Sequence, residues 1–147
     1  MRKLLVVFIV AAAIAIVLGR SPSHASATDL PAYAVAIDGG ELVHFDTPLA
    51  IAAKPTSSVD GPLDVRVFAV RAGTAREVHG AVRVSSTGIV ELRGRAADLV
   101  GDEPGDVTIT IVVGREGALT SAKARAEERG SPPRGVSVGR AMLHMRP

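Results

Sequence analysis

Asp106-Val107-Thr108-Ile109-Thr110-Ile111-Val112-Val113 decides the fold. Every residue from 107 to 113 is β-branched. Such side chains lose rotamer freedom in a helix and pack well on a pleated sheet. Alternation puts Val107, Ile109, Ile111 and Val113 on one face, and Thr108, Thr110 and Val112 on the other. A run this apolar invites self-association when left at an open edge. Its expected place is therefore the middle of a sheet.

The same pattern extends outward in both directions. Short apolar runs alternate with Gly, Pro, Asp and Ser, the spacing of an all-β sandwich or barrel. Towards the N-terminus, Ile89 to Arg93 turns Val90 and Leu92 inward and Glu91 and Arg93 outward. Arg76 to Val84 reads as one strand bulged at Gly80. Leu63 to Arg71 has two partly apolar faces, the mark of an interior strand. Pro48 to Ala53 is a shorter strand. Tyr33 to Ile37 opens the series, and Asp38-Gly39-Gly40 reads as a hairpin turn that sends Glu41 to Phe45 back along it. Towards the C-terminus, Leu119 to Arg129 is rich in Ala, Lys, Glu and Arg and stops at Gly130, so it reads as a short helix. Ser131-Pro132-Pro133 forces an extended linker, and Val136 to Met145 is the closing strand. The expectation is one antiparallel β-sandwich over 28–147, with about seven or eight strands and one short helix near the C-terminus.

Residues 1–27 belong to a different object. Arg2 and Lys3 precede the unbroken apolar run Leu4 to Leu18, and Ala25-Ser26-Ala27 has the small-x-small form that signal peptidase accepts. We read a signal-peptide helix cleaved after Ala27. The alternative is an uncleaved N-terminal membrane anchor, but the run falls short of the ~20 apolar residues a spanning helix needs. Export would place the domain in the periplasm or outside the cell; retention would hold it at the inner membrane, facing away from the cytoplasm.

The export reading reverses the apparent charge. The whole chain has 17 basic and 15 acidic side chains. Loss of Arg2, Lys3 and Arg20 leaves 14 basic against 15 acidic, which removes the electrostatic case for nucleic acid. Cysteine is absent, so no disulfide, thiol nucleophile or lipid attachment is available, and the domain must be held by packing alone. There is no tryptophan. The mature aromatics are Tyr33, Phe45 and Phe68, too few for a sugar-stacking platform.

Ala97-Asp98-Leu99-Val100-Gly101-Asp102-Glu103-Pro104-Gly105-Asp106, running into Val107-Thr108-Ile109-Thr110-Ile111, resembles the corner of immunoglobulin-like and fibronectin-type sandwiches. There a leucine-containing crossover and a Pro-Gly turn feed a central strand. Those families often tie the corner with a tyrosine hydroxyl; this stretch has no aromatic. Over 61–115, the elements Gly61-Pro62, Arg66-Val67-Phe68, Gly88-Ile89-Val90-Glu91-Leu92-Arg93-Gly94, Pro104-Gly105 and Val112-Val113-Gly114-Arg115 resemble an uncharacterised bacterial extracytoplasmic domain. It is associated with the outer parts of membrane-bound regulatory proteins such as anti-sigma factors. The resemblance implies an outer domain alone and carries no catalytic residues.

Candidate chemistry is sparse. Asp98, Asp102, Glu103 and Asp106 form the one acidic cluster ahead of the strongest strand. Grouped carboxylates suit calcium, but Asp and Glu beside Pro-Gly are also ordinary turn residues. His24 leaves with the signal, and His44, His79 and His144 show no metal-ligand spacing. Ser57, Ser58, Ser85, Ser86, Ser121, Ser131 and Ser137 lie outside any nucleophile-elbow motif. Arg66, Arg71, Arg76, Arg83, Arg93 and Arg95 either line one sheet face for an acidic partner or pair across strands with Asp64, Glu77 and Glu91. No catalytic residue and no cofactor are expected. The functional expectation is an exported non-catalytic accessory domain that contacts another envelope protein. The alternatives are an exported enzyme of unknown type and, if the apolar run is retained, a membrane-tethered sensor.

Overall fold

The computed structural model describes residues 29–147. The export signal, its cleavage site, His24 and the alternative anchor lie outside the described residues. Within them the chain is nearly all β. The strands are β1 (Tyr33–Asp38), β2 (Leu42–His44), β3 (Pro48–Pro55), β4 (Leu63–Arg71), β5 (Thr74–Glu77), β6 (Ala81–Val84), β7 (Val90–Arg95), β8 (Gly105–Arg115) and β9 (Val136–Arg146). Two short helices interrupt them, α1 (Ala96–Val100) and α2 (Ala122–Glu127).

The strands form a four-stranded sheet in the order β1-β3-β7-β6 and a five-stranded sheet in the order β2-β9-β8-β4-β5. The β-branched run lies in β8, between β9 and β4 at the centre of its sheet. One core joins the inner faces. Val67, Ala69, Val107, Ile109, Ile111, Val113, Leu143 and Met145 come from one sheet, and Leu49, Ile51, Ala53, Val90 and Leu92 from the other. Buried and less buried residues alternate along β3 and β7 as the period of a strand demands, whereas β8 is buried on both faces from Ile109 to Gly114.

Several local readings change. The Asp38-Gly39-Gly40 turn forms, with Gly39 and Gly40 at φ 100° and 87°, but β2 does not return along β1. It crosses to the other sheet and pairs parallel with β9, Leu42 beside His144 and His44 beside Arg146. The partner of β1 is β3, in register from Tyr33↔Pro55 to Asp38↔Ala50. The five-stranded sheet is therefore mixed, not purely antiparallel. The physical reason is Val43, which the crossing buries in the shared core.

The single strand expected over 76–84 is likewise two. β5 pairs with β4 through the tight turn Ala72-Gly73, both at positive φ (45° and 81°), a backbone that glycine at the second position accepts without steric cost. After Val78, whose N–H still bonds the Val67 carbonyl at 2.8 Å, the chain leaves that sheet at Gly80. β6 then joins β7 in the other sheet.

Where a crossover loop was expected, α1 plugs one end of the core with Ala96, Leu99 and Val100. No side chain caps its N-terminus. Backbone bonds from Ala96 N to Thr47 O and from Ala97 N to Phe45 O, both 3.0 Å, hold it instead. Propensity alone would not nucleate so short a helix, which is why sequence missed it. At the other margin, β1 closes against β9. A Cβ on Gly139 would lie 2.6 Å from Val35 Cγ2 and 3.1 Å from the Tyr33 carbonyl, so only glycine permits this approach.

Tyr33 supplies a corner bond of its own. Its buried hydroxyl donates to the Gly88 carbonyl at 3.1 Å, tying β1 to the turn before β7. Burial raises the phenol's pKa above its usual 10.0, and Arg115 partly opposes the shift.

Candidate functional site

The structure disperses the acidic cluster. Asp98, in the first turn of α1, accepts two bonds from Arg95, Nη2 to Oδ1 at 3.0 Å and Nε to Oδ2 at 3.2 Å. This hydrogen bonding from Arg95 holds the Asp98 carboxyl below its usual pKa. Asp106 turns the other way and meets His144 Nδ1 at 2.6 Å. Asp102 and Glu103 lie on the α1–β8 loop. Among the described residues, no group of three or more His, Cys, Asp or Glu is arranged to hold a metal ion. His44 Nδ1 is bonded to the Pro147 carbonyl at 3.0 Å, and His79 is exposed between β5 and β6. Ser85 is structural: its hydroxyl accepts from Ile89 N at 3.0 Å and from Thr87 N at 3.3 Å, shaping the β6–β7 turn.

Asp102 and Glu103 do meet part of the arginine set. With Arg71, Thr74 and Arg76 they rim a cleft of about 320 Å³ between the β4–β5 margin and the α1–β8 loop, floored by Ala69 and Val100. Arg71 spends its donors on loop carbonyls, Nη2 to Glu103 O at 2.7 Å and to Val100 O at 3.4 Å, and Nη1 to Pro104 O at 3.4 Å. It is a clamp that fixes the loop. The cleft carries both signs of charge and gathers no nucleophile–base pair.

The six arginines do not share a face. Arg66 is on the outer face of the five-stranded sheet and pairs with Glu77 at 2.7 Å across β4 and β5. Arg71 and Arg76 point inward at the sheet margin, by the register that places Arg76 beside Ala69. Arg83, Arg93 and Arg95 are on the outer side of the four-stranded sheet, where Arg93 approaches Glu91 of its own strand at 3.8 Å. Asp64 pairs with none of them and instead accepts the Gly117 N–H at 3.4 Å.

What singles out a surface is the contrast between the two outer faces. On the five-stranded sheet, outward Phe68, Val112 and Val136 are buried under Ala118, Leu119, Ala122 and Ala126 of the β8–β9 connection. On the four-stranded sheet, register aligns outward residues in rows: Ala36, Ala52, Glu91, Arg83 and then Asp38, Ala50, Arg93, Ala81. Ala34 and Lys54 form the neighbouring row. Among the described residues, no element of the chain packs over these rows. They form a shallow trough of about 370 Å³, floored by alanine and walled by Asp38, Lys54, Glu91 and Arg93. The sequence signal was alanine at alternate positions, 34 and 36 in β1, 50 and 52 in β3. It is easily missed because alanine is not a strong strand former.

No protein-family model matches the chain, and no curated protein matches it.

Proposed function

We propose that the chain is an exported, non-catalytic interaction domain of the bacterial cell envelope, periplasmic or secreted, that acts through the outer face of its four-stranded sheet on a partner protein. The observation that carries this reading is the bare face itself. Alanine rows that no element among the described residues covers let another backbone approach closely, and the fringe of Asp38, Lys54, Glu91, Arg83 and Arg93 offers both charge signs for orientation. Elsewhere, Arg95 is engaged with Asp98 and Arg71 with the loop carbonyls.

The scaffold reading is an immunoglobulin-like sandwich. It is supported by the order β1-β3-β7-β6 in one sheet and β9-β8-β4 in the other. These orders parallel A-B-E-D and G-F-C of that architecture. An outer domain of this kind fits the sequence resemblance to extracytoplasmic parts of membrane-bound regulators.

The test is site-specific photo-crosslinking in the native envelope. A crosslinker at position 52, on the bare face, is expected to capture protein, while one at Lys123, on α2, captures none. Equal capture at both positions, or none at 52, overturns the reading. Intact mass of the exported protein is expected to begin at Thr28.

A further inference from the structure

We propose that the occupant of the bare face is a second copy of the same chain, related by a two-fold axis that runs across the strands and exchanges Glu91 and Arg93 between subunits. This rests on the reading of that face as the docking surface and names its partner.

The argument comes from the register. Outward residues of adjacent rows are Ala36, Ala52, Glu91, Arg83 and Asp38, Ala50, Arg93, Ala81, on β1, β3, β7 and β6 in turn. A face-to-face dimer needs a two-fold axis lying parallel to the sheet. If the axis runs across the strands between these rows, each strand lies over its own copy and the rows change places. Glu91 then faces the second copy's Arg93, and Arg93 faces its Glu91. Ala52 lies over Ala50, Ala36 over Asp38 and Arg83 over Ala81. The other in-plane axis, along the strands, puts β3 over β7. Glu91 then faces Ala52, Arg93 faces Ala50 and Arg83 faces Ala36, so each of these charges meets a methyl group. Only the first arrangement is complementary in charge.

Within one subunit Glu91 and Arg93 are 3.8 Å apart, the Arg93 side chain largely and the Glu91 side chain about half in solvent. An exposed pair at that separation contributes little, so both groups are free to take a better partner. Alanine floors let the two sheets approach closely, and face-to-face sheets align within about 30°. Four strands at ~4.8 Å spacing give a face roughly 19 Å wide. That is small for a permanent interface, so the dimer is weak and concentration-dependent.

The decisive experiment is sedimentation of the exported protein and of the variants E91R and R93E, with circular dichroism to confirm that each is folded. Wild type is expected to dimerise with rising concentration. In E91R homodimers arginine would face arginine, and in R93E homodimers glutamate would face glutamate. Each variant alone is expected to raise the dimer dissociation constant about tenfold or more. In an equimolar mixture, the arginine introduced by E91R faces the glutamate introduced by R93E. The unchanged Arg93 of the first variant likewise faces the unchanged Glu91 of the second, and association is expected to return. Recovery on mixing requires the exchange to be intermolecular. A monomeric wild type at every soluble concentration overturns the proposal. So does either variant dimerising like wild type alone, or a mixture that stays monomeric. The photo-crosslinker at position 52 separates the two claims. Capture of a different protein there with none of the self-crosslinked species would sink the dimer and leave the docking face standing.

Discussion

The two sheets of this protein treat their outer faces in opposite ways. The five-stranded sheet turns Phe68, Val112, Val136 and Val138 outward, and the β8–β9 connection folds back over them with Leu119, Ala122 and Ala126. The four-stranded sheet turns Ala34, Ala36, Ala50, Ala52 and Ala81 outward and has no such cover among the described residues. The difference is one of side-chain size. Large β-branched and aromatic groups expose enough apolar area to demand burial, at about 25 cal/mol per Å². Methyl groups do not, so an alanine face can stay in water.

The free edges follow the same division. At β5 the N–H of Ala75 points out of the sheet and donates to Glu127 Oε1 of α2 at 3.1 Å. Arg140 of β9 also reaches the Arg125 carbonyl of α2 at 3.3 Å, and the Glu128 carbonyl just beyond it. The neighbouring edge of the other sheet, β6, is only Ala81–Val84. It is protected by shortness and by Arg83, which are both known defences of an open edge.

The contrast is broken most strongly from the covered side. Phe68→Ala removes the largest side chain under the connection and is expected to cost about 3 kcal/mol in urea unfolding. A loss under 1 kcal/mol would mean that α2 does not cover this face in solution. Thr110 lies on the same outward row, between Phe68 and Arg140, fully buried with an unpartnered hydroxyl. Thr110→Val is therefore expected to stabilise by about 1.5 kcal/mol, because it removes a desolvated polar group at constant shape. Glu127→Ala is expected to cost about 1 kcal/mol and to speed hydrogen exchange at the Ala75 amide while leaving β6 amides unchanged.

The bare face answers differently. Ala52→Thr is expected to change stability by less than about 0.5 kcal/mol, since its side chain projects from the uncovered face. The same substitution should abolish docking there. A large destabilisation would show that part of the chain covers this sheet after all. The smallest effect belongs to Asp98. Its folded pKa lies below its unfolded value near 3.8, so its contribution is complete above that pH and disappears as the solution is acidified through the lower folded pKa. Asp98→Asn should therefore lower stability slightly above about pH 3.8 and flatten the acid limb by that same small amount, the variant and the wild type converging at lower pH.

Much of the fold was legible because side-chain alternation reports burial directly. β7 is legible with its inward Val90 and Leu92, β4 and β8 with the two sets of residues on their faces, and the central place of β8 from its β-branched run alone. A helix was expected over 119–129 and forms over Ala122–Glu127. Its position on the outer face of the sheet, not at an edge or end, was not legible, because its apolar members are mostly alanine and give a weak face. The candidate site was less legible still. Asp98, Asp102, Glu103 and Asp106 are close in sequence, yet α1 and the start of β8 point them in different directions. The rows of the bare face join two separate stretches of the chain, β1 with β3 and β6 with β7.

The sequence by itself determined the all-β class, the central strand and the positions where the chain turns. Glycines at positive φ and β-branched runs act through local sterics, which one segment settles alone. Tertiary structure decided which strand each turn delivers to which sheet. β2 leaves β1 for β9, and β5 and β6 part at Gly80, because burying Val43 and joining β6 to β7 is a gain that only the assembled core can supply. Whether an outward face is covered or bare also emerged at that level, since it depends on where a distant connection comes to rest.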